Sequence, residues 1–305
     1  MAKKRLQNLE LDDAVHEVAE LLTKLMHAAN NRFKLSLPLT AGWDSRILLA
    51  ASHNIVPDIF FYTLQYRDLN LKSNDIKIPM KLLHSIGHKH HIINCQTALN
   101  LEFNSIYEKN ISMGHKDWGN IAYGMLGSYP EDRICIKGNT AEIGRLSGLS
   151  GRTIKSVDEI TNYIVSGWDT VPFIKKQLSL WYREAHAITN EYEIGLHNLF
   201  YWEHRMGSWQ AQSQLEWDII QETFTPFNHR GLQEITLGVS LKFRSTPNYI
   251  LYQKIAKTLW PEVMEYPINP PENIKDRIMR VLSYFGLKEV IRKRYKKVFI
   301  LFINA

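Results

Sequence analysis

Residues 35–51 read LSLPLTAGWDSRILLAA, and the reading of the turn inside this run decides the fold. Before the turn, Phe33, Leu35, Leu37 and Leu39 alternate with other residues, the period of a strand with one side in the core. After it, Ile47 to Ser52 reads as helix. Between them lie small and hydroxyl-bearing residues, Thr40, Ala41, Gly42 and Ser45, together with Asp44. A strand that feeds a helix through such a turn presents unpaired backbone N–H groups at the helix start, where anions are held. Gly42 permits close approach, Thr40 and Ser45 offer hydroxyls, and Asp44 offers a carboxylate suited to Mg²⁺ between phosphate oxygens. Asp and Ser are also ordinary helix caps, and the turn taken alone leaves both uses open. The spacing and lysine of a Walker A loop are missing.

Working outward, strands at 59–66 (IFFYTLQY), 90–94 (HHIIN) and 133–139 (RICIKGN) alternate with helices over 73–87 and 97–110. An earlier helix, capped by Asp12 or Asp13, carries Val15, Val18, Leu21, Leu22, Leu25 and Met26 at helical spacing. In the helix opened by Ser73-Asn74-Asp75, Pro79 is expected in the first turn. This alternation predicts an α/β fold with a mainly parallel sheet, whose ligands sit beyond the carboxyl ends of the strands. Past residue 150 strand candidates are few, and 157–167, 172–190, 192–220, 230–239, 248–259 and 273–296 read as helices. The division is an α/β region over 1–150, a helical region over 151–270 and a basic tail over 271–305.

Composition narrows the partners. The 305 residues carry a net charge of +6, yet residues 275–297 hold nine lysines and arginines against Asp276 and Glu289, so the remainder is near neutral. Nucleic acid is therefore disfavoured as a partner. The polar start, MAKKRLQNLELDD, and the lack of a long apolar run point to a cytoplasmic protein. Cys95 and Cys135 stand far apart and suggest neither a disulfide framework nor a zinc knuckle. His84, His88, His90 and His91 lack acidic or thiol companions for a zinc site. The tail, IRKRYKKVFILFINA, suits contact with an anionic membrane surface, a partner, or the protein's own core.

Thr-Ala-Gly-Trp-Asp-Ser resembles the Ser-Gly-Gly-x-Asp-Ser pyrophosphate (PP) loop of the ATP pyrophosphatases. With Arg-Ile-Leu-Leu-Ala after it, the stretch is similar to the synthetase domain of the asparagine synthetase and β-lactam synthetase family. FFYTLQY, SNDIKIPMKLLHSIGHKHHIIN, KGNTAEIGRL, YWEHRMGSW with ETFTPFNHRGLQEITLGVSLKFR, and LWPEV resemble later motifs of that family in the same order, over roughly residues 10–270. The resemblance implies a sheet of the adenine nucleotide α-hydrolase (PP-loop) type and an ATP- and Mg²⁺-dependent ligase. A carboxylate would attack the α-phosphate, giving an acyl-adenylate and pyrophosphate, and ammonia or an amine would displace AMP.

On this footing Leu39, Thr40, Ala41, Gly42, Asp44, Ser45, Arg46, Thr63, Leu64 and Gly138 are the expected nucleotide contacts. Asp44 and Glu142 are the expected Mg²⁺ ligands, and Asp44, Glu142, Arg145 and Lys254 the expected catalytic set. Arg46, Arg145 and Arg205 match family arginines, as phosphate clamps or as structural salt bridges.

Four departures stand out. Ala41 replaces a loop glycine, which predicts an ordinary backbone there. Tyr249 falls where the family has the lysine that stabilises the acyl-adenylate, leaving Lys254, Arg244 or Arg230 to supply that charge, and Phe224 replaces an arginine. A glutaminase domain is not expected before the loop, so ammonia, a separate glutaminase or an amine-carrying partner would serve. Two rival readings are a PP-loop enzyme that modifies a tRNA or DNA base, which needs Cys95 and Cys135 as catalytic residues, and a degenerate nucleotide-binding domain without turnover.

Overall fold

The computed structural model describes residues 9–98, 100–111, 114–115, 117–145, 154, 156–164, 168–192 and 194–284. The first half alternates as α1 (Leu11–Asn30), β1 (Lys34–Pro38), α2 (Trp43–Ala51), β2 (Phe60–Gln65), α3 (Asn74–Ser85), β3 (His90–Asn94), α4 (Leu101–Asn110), α5 (Trp118–Met125), β4 (Arg133–Ile136) and the short α6 (Ala141–Gly144). Next come α7 (Val157–Ile164), α8 (Pro172–Tyr192) and α9 (Leu196–Phe200), the last running into a π-helix over Tyr201–Gln210 and then α10 (Ala211–Trp217). The chain closes with β5 (Thr223–Phe224), α11 (Arg230–Gly238), α12 (Leu241–Arg244), α13 (Ile250–Leu259) and α14 (Ile274–Tyr284).

The sheet is five-stranded and entirely parallel, in the order β3-β2-β1-β4-β5. The fold is thus α/β, with β1 in the middle and its strand order reversing between β1 and β4. That reversal brings the loops after β1 and β4 together at the carboxyl ends, the place where open α/β sheets hold their ligands. Both faces are covered. Leu35, Leu37 and Leu39 are fully buried in a core with α1, α2 and α13, while Ser36, also fully buried, bonds the Tyr129 hydroxyl at 2.6 Å on the other face. Phe33, expected on the core side, precedes the strand and is 49% exposed.

The core around α2 joins both halves of the chain: Trp43, Ile47 and Leu48 share one cluster with Leu251, Tyr252 and Ile255 of α13. Several boundaries differ from the sequence reading, each for a local reason. Glu10 is the N-cap of α1, and Asp12 and Asp13 lie inside its first turn, where carboxylates favour the helix dipole. Pro79 falls in the second turn of α3, not the first. Helix α4 begins at Leu101, where the Asn100 side chain accepts from Phe103 N–H at 2.8 Å. Helix α5 was not foreseen. The segments 165–167 and 285–296, read as helix ends, and the tail sequence lie outside the described residues.

Among the described residues no helix is long and apolar enough to cross a membrane. Helix α5 packs so closely on the end of β3 that a Cβ on Gly124 would come 2.5 Å from the Cys95 Cα. Gly124→Ala is therefore expected to lower stability by about 2 kcal/mol through overpacking against backbone, read as a lower urea midpoint at unchanged slope.

Candidate functional site

The loop after β1 is built from its own side chains. Ser45 Oγ accepts from Thr40 N–H at 3.2 Å, and the Thr40 hydroxyl accepts from Gly42 N–H at 3.3 Å. Ala41 N–H donates to Asp75 Oδ1 at 3.0 Å, and the Ala41 carbonyl accepts from Asn269 N–H at 2.8 Å. Asp75, a helix opener in the sequence, also ties the first turn of α3 to this loop. Ala41 is not among the positive-φ residues, so the loop needs no glycine there. Gly42, the N-cap of α2, has φ −78° and ψ 170°. The first turn of α2 directs the N–H groups of Trp43, Asp44 and Ser45 out of the helix end.

The loop after β4 meets the first loop face to face. A Cβ on Gly138 would lie 2.8 Å from Asp44 Cβ and 3.3 Å from Ser45 N, so only glycine lets the two backbones approach this closely. Two residues on, Thr140 is held at φ +71°, a costly conformation for a β-branched residue, and its carbonyl is fixed by the Gln233 side-chain amide at 3.1 Å. This kink starts α6, which carries Glu142, and Arg145 follows at its end.

Arg145 crosses back to the first loop and donates to Asp44 Oδ2 at 2.7 Å, with only 12% and 21% of the two side chains exposed. Its guanidinium carbon also lies 5.5 Å from the Tyr252 ring centre and 5.9 Å from that of Tyr249. Those rings stand edge-on to Trp43, at 6.5 and 6.2 Å. Burial pushes the Asp44 carboxyl up to about 7, Arg145 opposes this, and the nearby Glu142 adds to it. Asp44 Oδ1, Glu142 Oε2 and the Thr140 hydroxyl are buried and have no hydrogen-bond partner. Two neighbouring carboxylate oxygens left open at a glycine-lined meeting of loops fit a hard cation that takes its remaining ligands from phosphate and water. No three metal-ligating side chains converge among the described residues, so the protein offers this pair rather than a closed cage.

The expected residues divide sharply. The structure brings Thr40, Ala41, Gly42, Asp44, Ser45, Gly138, Glu142 and Arg145 together. Leu39, fully buried, precedes the loop and its carbonyl accepts from the Thr63 hydroxyl at 2.5 Å. Thr63 also bonds His90 Nε2 at 2.8 Å, and Leu64 packs in the cluster around Tyr62, so both serve the sheet.

Arg46 is not at the loop as expected. Its guanidinium is fully buried and donates to the carbonyls of Val263, Tyr266 and Pro267 at 2.6, 2.9 and 3.4 Å. Lys254 is likewise elsewhere: its half-exposed ammonium pairs with Asp12 of α1 at 2.6 Å. Arg244 donates to the carbonyls of Val239 and Gly144, and Arg230 pairs with Glu234 on the surface. The cation at Asp44 is Arg145, and Tyr249, at φ +47°, lies under it. Lys137, just before Gly138, was overlooked: it is 9% exposed and its ammonium sits 4.7 Å from the Trp217 ring centre.

No known protein-family model matches the chain, and no curated protein sequence matches it.

Arg145→Ala is expected to cost about 3 kcal/mol at pH 8, because it strands a buried carboxylate. Since the folded-state carboxyl of Asp44 sits above its ordinary value of 3.8, at about 7, stability from this group is present in acid and lost as pH rises toward 7. The penalty of Arg145→Ala should accordingly shrink at pH 5, where Asp44 is protonated. Urea melts at the two pH values read the difference.

Proposed function

We propose that the chain is an ATP-dependent, AMP-forming ligase of the asparagine synthetase and β-lactam synthetase kind, with a sheet of the PP-loop type. It adenylates a carboxylate and passes the acyl group to ammonia or an amine, giving an amide. The observation that carries this reading is the pair of buried, unpartnered carboxylate oxygens of Asp44 and Glu142, set between two glycine-lined loops at the carboxyl ends of adjacent parallel strands.

In this reading the N–H groups at the start of α2 and the Thr40 and Ser45 hydroxyls hold the β- and γ-phosphates. Asp44 and Glu142 hold Mg²⁺, which when bound neutralises phosphate charge. The substrate carboxylate oxygen attacks the α-phosphorus, the bond from that phosphorus to the bridging oxygen breaks, and pyrophosphate leaves. Ammonia or an amine then attacks the acyl carbon and AMP departs, with the excess proton going to solvent. Arg145, clamped by Asp44 and two tyrosine rings, takes the part that the resemblance assigns to a lysine at position 249. A cation so fixed needs no reorganisation as charge moves onto the leaving group. Ammonia would come free or from a separate glutaminase or amine-carrying partner, and cytoplasmic ATP suits such an enzyme.

Nothing in the geometry favours chemistry on a nucleic-acid base. Cys95 and Cys135 are both buried, and burial pushes the Cys95 thiol up to about 12, far from a ready nucleophile.

Incubation with Mg²⁺, ATP and a panel of carboxylic acids should release pyrophosphate and AMP, and release of ADP instead would sink the assignment. Asp44→Asn should reduce turnover at least 100-fold while the far-ultraviolet circular dichroism is kept. Lys254→Met, at a surface pair, should change turnover less than twofold.

A further inference from the structure

The last described helix carries an apolar stripe that the rest of the fold leaves uncovered. Asn273 Oδ1 accepts from Asp276 N–H at 2.9 Å and so starts α14, and the helical period then places Ile274, Ile278 and Val281 along one side. These three are 76%, 50% and 50% exposed. The same kind of spacing in α1 has the opposite outcome, since Val15, Val18, Leu22 and Met26 are at most 3% exposed. No residue of α14 joins a hydrophobic core cluster among the described residues. Asp276, the one carboxylate of the helix, falls across from the stripe by the same period, while the exposed Arg277 borders it.

The root of this helix is tied down beside the candidate site. Asn74 N–H donates to Glu272 Oε1 at 2.8 Å, and the Asn74 side-chain amide donates to the Pro270 carbonyl at 3.4 Å. The next residue of α3, Asp75, holds Ala41 in the loop after β1. On the body of the protein, Leu71, which is 61% exposed, and the exposed Lys72 lie within three residues of that contact. Apolar and cationic residues thus occur on both sides of the junction. In sequence, residues 275–297 hold nine lysines and arginines against Asp276 and Glu289. An amphipathic helix with this balance suits the plane of an interface, its apolar stripe facing the acyl chains and its cations the headgroups.

We propose that α14 seats the protein on an anionic lipid bilayer, with Ile274, Ile278 and Val281 at the acyl boundary and the cations of the segment at the lipid phosphates. This role is independent of the ligase reading. Charge and polarity together favour lipid over other occupants of the stripe. A second copy of the chain would bring two sets of the same positive charges together across a two-fold contact. A nucleic acid would answer the charge but leave the apolar stripe in water. An anionic bilayer meets both needs, because burial of apolar area and attraction to the headgroups add along one helix. Since the root of α14 lies beside the loop after β1, a chain seated in this way carries its candidate site close to the membrane surface.

Co-sedimentation of the full chain with vesicles of two parts phosphatidylcholine to one part phosphatidylserine tests the inference without nucleotide or substrate. Binding is expected to be roughly tenfold or more stronger than to phosphatidylcholine alone. It should weaken by a similar factor in about 1 M salt, where the screening length falls to about 3 Å. Ile278→Ser combined with Val281→Ser should reduce binding roughly tenfold at an unchanged urea midpoint, because both side chains are half exposed and outside the core clusters. Arg277→Gln should reduce it about fivefold. Equal binding to the two kinds of vesicle, or binding that the serine pair leaves intact, overturns the assignment. So does an absence of vesicle binding. In that event sedimentation velocity names the true occupant: self-association lost in the serine pair gives the stripe to a second copy, and a monomer gives it to the chain's own residues.

Discussion

The ion pair between Asp44 and Arg145 is the constraint around which the chain is arranged. The partners lie about a hundred residues apart, on loops that β1 and β4 bring together by lying side by side in the sheet. Neither charge is well placed alone. Burying a carboxylate beside a second one is costly, and so is burying a guanidinium without an acceptor. The pair is tolerable because its surroundings are prepared: Gly138 lets the loops touch, Thr140 takes a strained conformation that turns α6 toward Asp44, and Tyr249 and Tyr252 offer their faces to the cation. Each of those conditions sits on a different element, so the site exists only when both halves of the chain are assembled.

The helical half acts as the clamp of that assembly. Arg46 leaves the first turn of α2 and ties the Val263–Pro267 segment to it through three carbonyls, while Asn269, just beyond, holds the Ala41 carbonyl. The Tyr252 hydroxyl donates to the Ala141 carbonyl at the start of α6, at 2.6 Å. Thus the loop after β1 is held by the C-terminal elements on one side and meets the loop after β4 on the other. A lost carbonyl partner in such a buried set costs about 1–3 kcal/mol each, which makes Arg46 a fold residue despite its place in a binding-loop pattern.

What was legible in the sequence follows period and turn chemistry. Strands β1 to β4 could be read because short apolar runs, alternating in β1 and nearly continuous in β2, are separated by turns and helical stretches. Strand β5 could not: it is two residues long, and its place is set by Cys135 pairing with Thr223 rather than by any pattern of its own. The π-helix has the composition of an α-helix, so its changed winding at Arg205 and Trp209 left no trace. Arg46 and Lys254 misled for a related reason. A linear motif places a side chain near a loop, yet burial and the nearest acceptor decide where a long, flexible cation ends. Arg46 found three carbonyls, and Lys254 found Asp12 on α1.

Why two carboxylates persist at this crossing is a question about cost. Burial, helped by Glu142 and opposed by Arg145, pushes the Asp44 carboxyl up to about 7, so at neutral pH the fold carries a charge it half rejects. An asparagine would fill nearly the same space, keep an acceptor for Arg145 and remove the repulsion from Glu142. Stability alone would favour that exchange. On the ligase reading proposed above, the unpartnered oxygens of Asp44 and Glu142 would be joined by a cation, and the repulsion between the two carboxylates would become an attraction for it.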